Sequence, residues 1–245
     1  MKRLLLIPFL SGCLFAFGQD QGTVTYEEIT KMEIKLPPGM DASNFPNETR
    51  ISKALYFTSR ETLYKNLPQE EKTNEINSEG LQLVIKNTIP DNEYYKDLAN
   101  NKRVEKRDFL ERIFLMEGAI EDLKWKISPE QKKWNDYVLQ KATTEVDTFR
   151  VVAWFTPQIQ VSSGPGKYGQ LPGLILEMDF NEGWRKILVQ EVSLKPLEEN
   201  IVAPKKGKKV TDEEFKQIQE EKLRELREQY GGKGGVFIHT ETRDN

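Results

Sequence analysis

From Thr23 the chain alternates polar and apolar side chains. Val24, Tyr26 and Glu28 fall on one face, and Thr25, Glu27 and Ile29 on the other. A period of two is the mark of a strand. Nine further runs share it, at 51–58, 62–66, 81–86, 112–116, 123–127, 137–144, 148–155, 174–180 and 184–194. Gly, Pro and Asn punctuate the runs, which predicts antiparallel strands joined by turns. No linker-like shift in composition occurs before about residue 200, and no internal repeat is visible. One large antiparallel curved sheet or open half-barrel accounts for this better than two domains. The predicted class is mainly β (α+β).

Three stretches read as loops. Residues 36–47 carry Pro37, Pro38, Gly39 and Pro46, which a central strand does not tolerate. Residues 67–80 are polar and acidic. Residues 161–173 hold Gly164, Pro165, Gly166, Gly169, Pro172 and Gly173. Residues 100–112 are ambiguous: their charge suits a surface helix, but Val104, Phe109 and Leu110 fix no period. The clearest helix lies at about 211–230. Thr211 and Glu214 form a capping box, and Asp212 and Glu213 add negative charge to the first turn. Phe215, Ile218, Leu223, Leu226 and Tyr230 make one apolar stripe, and Gly231-Gly232 ends it. An amphipathic C-terminal helix packed on the sheet is predicted; the sharper reading is a lid or a partner-binding helix. The lysines of 205–209 read as a solvated loop, because no aromatic residues interleave them.

Residues 1–18 have a signal-peptide layout. Lys2 and Arg3 precede an apolar run, and Ala16 and Gly18 are small residues before Gln19. The run is too short to span a bilayer. Residues 19–245 are then the single mature β-rich domain, exported to the periplasm. In the alternative, Leu10-Ser11-Gly12-Cys13 is a lipoprotein box, and Cys13 anchors the chain to the outer membrane.

Composition narrows the chemistry. With 37% hydrophobic and 31% charged residues among 245, the chain is of ordinary globular type. A net charge of -3 offers no basic excess for nucleic acid. One Cys and one His exclude a disulfide framework, a Cys/His zinc cluster and any two-histidine site. A Ser-His-Asp set would have to use His239, near the terminus, and there is no Gly-x-Ser-x-Gly elbow. The segment Asp179-Phe180-Asn181-Glu182-Gly183 resembles the start of a calcium loop. Its twelfth position is Gln190 and its glycine falls one place early, so a hairpin turn explains it better. Glu177 and Asp179 share a strand face, which leaves a carboxylate pair as the one acid/base route open. Trp125, Trp134, Trp154 and Trp184 sit in or beside strands and read as core or cross-strand pairs. Trp125 and Trp154 are also candidates for lining a cleft. No cofactor or metal is called for.

The segment Gly164-Pro165-Gly166-Lys167-Tyr168-Gly169-Gln170-Leu171-Pro172-Gly173-Leu174-Ile175-Leu176-Glu177 resembles the signature of the GLPGLI family, exported bacterial proteins of unknown function. Phe114-Leu115, Leu123-Lys124-Trp125-Lys126-Ile127, Gln140-Lys141-Ala142-Thr143 and Ala153-Trp154-Phe155-Thr156 extend the resemblance. It is strongest over residues 114–180. Gln170 stands where the motif has its first glycine, and Leu139 where a cysteine is expected. The resemblance supplies no catalytic residue.

The motif also has a physical reading. Pro172-Gly173 suits the centre of a type II turn. The turn would deliver Leu174, Leu176, Met178 and Phe180 into a buried strand. Gly164, Pro165, Tyr168, Leu171, Pro172 and Gly173 therefore form either a scaffold loop or one that brings backbone close to a ligand. The function expected is a non-enzymatic exported accessory or binding protein, with an outer-membrane transport protein or a hydrophobic ligand as partner. The alternatives are a half-barrel carrier of lipid or lipoprotein, and a carboxylate-dependent hydrolase.

Overall fold

The computed structural model describes residues 20–32, 47–69, 73–78, 81–86, 89–146 and 149–230. The signal-peptide layout with Cys13, most of loop 36–47, His239 and Gly231-Gly232 lie outside them. In chain order the described strands are β1 (Gly22–Lys31), β2 (Glu48–Phe57), β3 (Glu61–Asn66), β4 (Thr73–Ser78) and β5 (Leu81–Lys86). They continue as β6 (Glu93–Asp97), β7 (Lys102–Phe109), β8 (Arg112–Ala119), β9 (Lys126–Trp134) and β10 (Tyr137–Val146). The last are β11 (Phe149–Thr156), β12 (Leu174–Phe180), β13 (Arg185–Ser193) and the two-residue β14 (Lys208–Lys209), before helix α1 (Asp212–Tyr230).

Twelve of these strands form one open sheet in the order β14-β8-β7-β6-β3-β2-β1-β13-β12-β11-β10-β9. All neighbours are antiparallel except β14, which joins β8 in parallel. The remaining pair, β4 and β5, forms a separate hairpin. The prediction is corrected at five places. Residues 93–97, which no predicted run covers, form β6, and the loop read at 205–209 contains β14. The expected loop 67–80 contains β4, and the ambiguous stretch 100–112 is β7 with its turn. The run 123–127 enters a strand only at Lys126.

The sheet is strongly curled, and chain geometry requires it. Strands β8 and β9 stand ten places apart, about 48 Å across a flat sheet. Only residues 120–125 join them, and the step from Ala119 to Lys126 spans at most about 25 Å fully extended. Register shifts between Thr25 and Tyr26, Gln140 and Ala142, and Trp154 and Phe155 mark bulges that bend the strands. The connector 120–125 is thus a chord across the concave side.

Directly paired residues share a face, so the register reads out what the concave side carries. One row runs Val24, Leu55, Tyr64, Tyr94, Glu105, Met116; the next runs Gly22, Phe57, Thr62, Lys96, Arg103, Gly118. Each row passes from apolar residues at the centre to polar ones near β7. The main core occupies the apolar part, where Val24, Tyr26, Leu55, Phe57, Leu139, Phe155 and Leu174 through Leu176 are all but fully buried.

After β13 the chain lays Ile201 and Ala203 on the outer cluster of Leu63, Tyr95, Val104 and Leu115. It then rounds the edge through β14, and α1 lands on the inner residues Phe114 and Met116 through Phe215. The strap covers an edge that would otherwise be open to pairing with another chain. Thr211 Oγ1 accepts from Glu214 N (3.1 Å) while Glu214 Oε2 accepts from Thr211 N (2.9 Å), the capping box read from the sequence. Along α1 Phe215 is buried, and Ile218, Leu223 and Leu226 are half-buried.

Candidate functional site

The glycine- and proline-rich segment between β11 and β12 turns into the concave side and plugs it. Ile159, Val161, Tyr168 and Leu171 join the main core. A bridge between Ser163 and Gly169 narrows the segment to a tip at residues 164–168. Side chains of the sheet hold the tip. Lys96 Nζ donates to Gly164 O (3.1 Å) and Tyr168 O (2.7 Å), and the Thr62 and Ser163 hydroxyls lie 3.2 Å apart. Trp125 Nε1 donates to Gly169 O (2.8 Å), and Tyr26 Oη to Ile175 O (2.7 Å). Lys96 is 1% exposed, and burial pushes its ammonium pKa down to about 7. Its two partners are neutral carbonyls, so no anion offsets that burial.

The glycines have definite work here. An added Cβ on Gly164 would lie 2.7 Å from the Ile175 side chain, and one on Gly173 only 2.1 Å from Thr156 O. Gly173 adopts φ +149°. The expected type II turn is replaced by a tighter one, in which Gly173 N donates to Leu171 O (2.7 Å) across Pro172. Proline's fixed φ matches the centre of an inverse γ-turn. Gln170, at the departure from the motif, has φ +64°. Its side-chain oxygen accepts from Leu123 N (2.8 Å) and its amide donates to Glu121 O, so the side chain clamps the chord to the plug.

Beyond the tip lies a cavity of about 410 Å³. Its walls are β2, β3, β6, β7 and β8, with Pro165 through Tyr168 on one side and the first turns of α1 above. At its back sits Glu28, 2% exposed, between Lys53 Nζ (3.0 Å) and Arg185 Nε (3.2 Å). Tyr64 Oη approaches the same carboxylate at 3.5 Å. Lys53 and Arg185 also lie over the rings of Tyr64 and Phe180, at 5.4 and 4.8 Å to the centroids.

The front is built around Arg103, 5% exposed. Its Nη2 pairs with Asp212 at the start of α1, and its Nη1 lies 3.6 Å from Glu105 Oε2. Glu105 also binds Arg107. A Cβ added to Gly118 would sit 3.3–3.5 Å from Nη2, Cζ and Nε of Arg103. The guanidinium therefore lies flat where β8 has no side chain. Tyr94, 7% exposed, faces the same space, and burial raises its hydroxyl pKa, with the Glu105 charge adding to the rise.

Of the residues singled out from the sequence, Pro165 and Tyr168 line the cavity. Gly164 holds the anchor of the tip; Leu171, Pro172 and Gly173 shape the return into β12. Trp125 binds the plug but does not line the cavity. Trp154 is half-buried elsewhere, with Lys132 Nζ 4.5 Å from its ring centroid. Glu177 pairs with Lys132, and Asp179 Oδ1 accepts from Gly183 N (2.7 Å), so this acid pair is engaged locally. Among the described residues no three His, Cys, Asp or Glu side chains cluster to hold a metal. Sequence reasoning missed Tyr94, Lys96, Arg103 and Arg185. The available signal was Glu28, a charge that continues the apolar face of Val24 and Tyr26 and so demands a buried cation.

A family model described as a protein of unknown function (Porph_ging) matches residues 126–177, from the start of β9 into β12. That stretch includes the plug. No curated protein matches the chain. Among solved structures, PNGF-II in space group P21 superposes with a TM-score of 0.52 at 18% identity, over 81% of this chain and 33% of that one. Its C2 form gives a TM-score of 0.52 at 17% identity, over 81% and 32%. The chain spans about a third of the length of PNGF-II, and likeness at this identity concerns the fold alone. No helix among the described residues is long and apolar enough to cross a membrane.

Proposed function

We propose that this chain is an exported, non-enzymatic binding protein of the GLPGLI type, acting in the periplasm and roofed by an amphipathic α1. The observation that supports this reading is the cavity between plug, sheet and helix. Its size is that of small-molecule sites, and its walls include the buried Arg103, Arg185 and Tyr94, both arginines in ion pairs. The family match over residues 126–177 covers the motif that carries the GLPGLI resemblance. Seven lysines and arginines and five carboxylates line the cavity, which weighs against a lipid carrier. The carboxylates singled out for hydrolysis are engaged away from the cavity, which weighs against a hydrolase.

The test is photo-crosslinking from Gln219, which lines the cavity from α1, in cells that export the full chain. The expected result is a defined small-molecule adduct at that position, with an outer-membrane transport protein as the partner captured from surface positions. A lipid adduct alone would transfer the role to a carrier, and turnover of the captured molecule would make the protein an enzyme.

A further inference from the structure

We propose that the cavity beneath α1 takes a small soluble ligand with an oxyanion head, a carboxylate or a phosphate, held by the Arg103 guanidinium and the Tyr94 hydroxyl. The inference rests on the binding-protein reading and names the ligand class. Its ground is three polar atoms. Nε and Nη1 of Arg103 and Oη of Tyr94 are buried and make no hydrogen bond in the protein, Nη1 having only the Glu105 carboxylate at ion-pair distance, 3.6 Å. Both residues are more than nine-tenths buried, and both line the cavity. Register brings them together: Tyr94 pairs with Glu105 and Lys96 with Arg103, so the two side chains stand diagonally on adjacent strands of one face.

The chemistry of these donors selects the ligand. A guanidinium has five N–H donors in a fixed fork and no acceptor, and it matches planar or tetrahedral oxyanions. The raised pKa keeps the Tyr94 hydroxyl protonated through the physiological range, so it also can donate. Asp212 already places one carboxylate on Nη2, showing that the guanidinium is accessible to an acid from the side of α1. Seven lysines and arginines line the cavity against five carboxylates, so an anion also improves the charge balance.

The experiment is calorimetric titration of the full chain with inorganic phosphate and, separately, with succinate, at constant ionic strength against chloride. The expected result is saturable binding of one probe, and which one binds decides between the two heads. Tyr94→Phe and Arg103→Met should each weaken that binding tenfold or more. Tyr94→Phe removes only a hydroxyl without a partner, so its melting temperature without probe should equal or exceed that of the wild type. This variant carries the test if Arg103→Met does not fold. Absence of saturation by both probes, or unchanged affinity in Tyr94→Phe, overturns the proposal. If both probes fail while Gln219 still captures a small molecule, only this inference falls. If the crosslink is also empty, the binding-protein reading falls with it.

Discussion

Replacing Lys96 by Met tests the account of the plug, because the wild-type amine is buried against two carbonyls and no carboxylate. In the unfolded chain the ammonium keeps its ordinary pKa of 10.5; in the fold, desolvation lowers it to about 7. Between those values the unfolded state binds more protons than the folded state, so this group makes stability rise with pH. Below about pH 7 both states are protonated and the dependence disappears. A one-unit difference corresponds to about 1.4 kcal/mol. Allowing for half-titration at the lower end, the wild type should gain about 2 kcal/mol between pH 7 and pH 9 that Lys96→Met cannot gain. At pH 9 the variant also leaves the Gly164 and Tyr168 carbonyls without their donor, at a cost of about 1–3 kcal/mol each. Other titrating groups cancel in the difference between the two proteins. Urea unfolding of both at half-unit steps from pH 6 to pH 9 measures it. A gap that stays constant across that range would refute the reasoning, since it would mean the amine stays charged inside the fold.

Three further outcomes are expected. Gly173→Val should destabilise by at least about 3 kcal/mol, because φ +149° and a backbone oxygen 2.1 Å from the new Cβ both oppose it; an unchanged melting curve would count against a constrained turn. Gln170→Ala loses the clamp on the chord and keeps φ +64°, so it should cost about 1–2 kcal/mol, whereas Gln170→Gly relieves the strained backbone and should recover about 1 kcal/mol of that. The β7–β8 hairpin turns on Leu110 and Glu111, at φ 51° and 62°. The double change Leu110→Asn, Glu111→Gly supplies the residues such a turn favours and should raise stability by about 1–2 kcal/mol in thermal unfolding; a lowered midpoint would mean that Leu110 contributes contacts its 51% exposure does not indicate.

That hairpin also explains what the sequence conceals. Strand β7 places Arg103, Glu105 and Arg107 on the concave face, where alternation would lead one to expect apolar residues. The β7–β8 turn at Leu110 and Glu111 contains neither Gly nor Asn, so the far end of 100–112 lacks a stop, and the stretch shows no clear period. β4 is polar except for Ile76 and reads as loop because it offers no alternation. Where the inner face is apolar, as in β12, pattern and structure coincide residue for residue, and the start of α1 follows from its capping box. The site divides along the same line. Gly164, Pro165 and Tyr168 announce themselves by loop composition. Tyr94, Lys96 and Arg103 are indistinguishable from surface residues until register places them inward, because charge in a strand normally means solvent.

The plug sets where hydrophobic burial stops. Its bridge at Ser163 and Gly169 and the Lys96 anchor fix the tip beside β6, and the connector 120–125 is too short to let it swing further across. Strands β6, β7 and β8 therefore curve over space that no apolar segment fills except at the rim, where Phe215 meets Phe114 and Met116. Apolar residues there would leave a dry void; charged ones must be paired to be tolerated. Glu28 with Lys53 and Arg185, and Glu105 with Arg103 and Arg107, supply that pairing. Arg103 and Tyr94 nevertheless keep buried donors without partners, each costing about 1–3 kcal/mol relative to a satisfied group. Phe in place of Tyr94 would avoid that cost without disturbing the sheet, since it fills the same volume. A complement from outside the chain, as proposed above, would satisfy these donors without any change to the sheet.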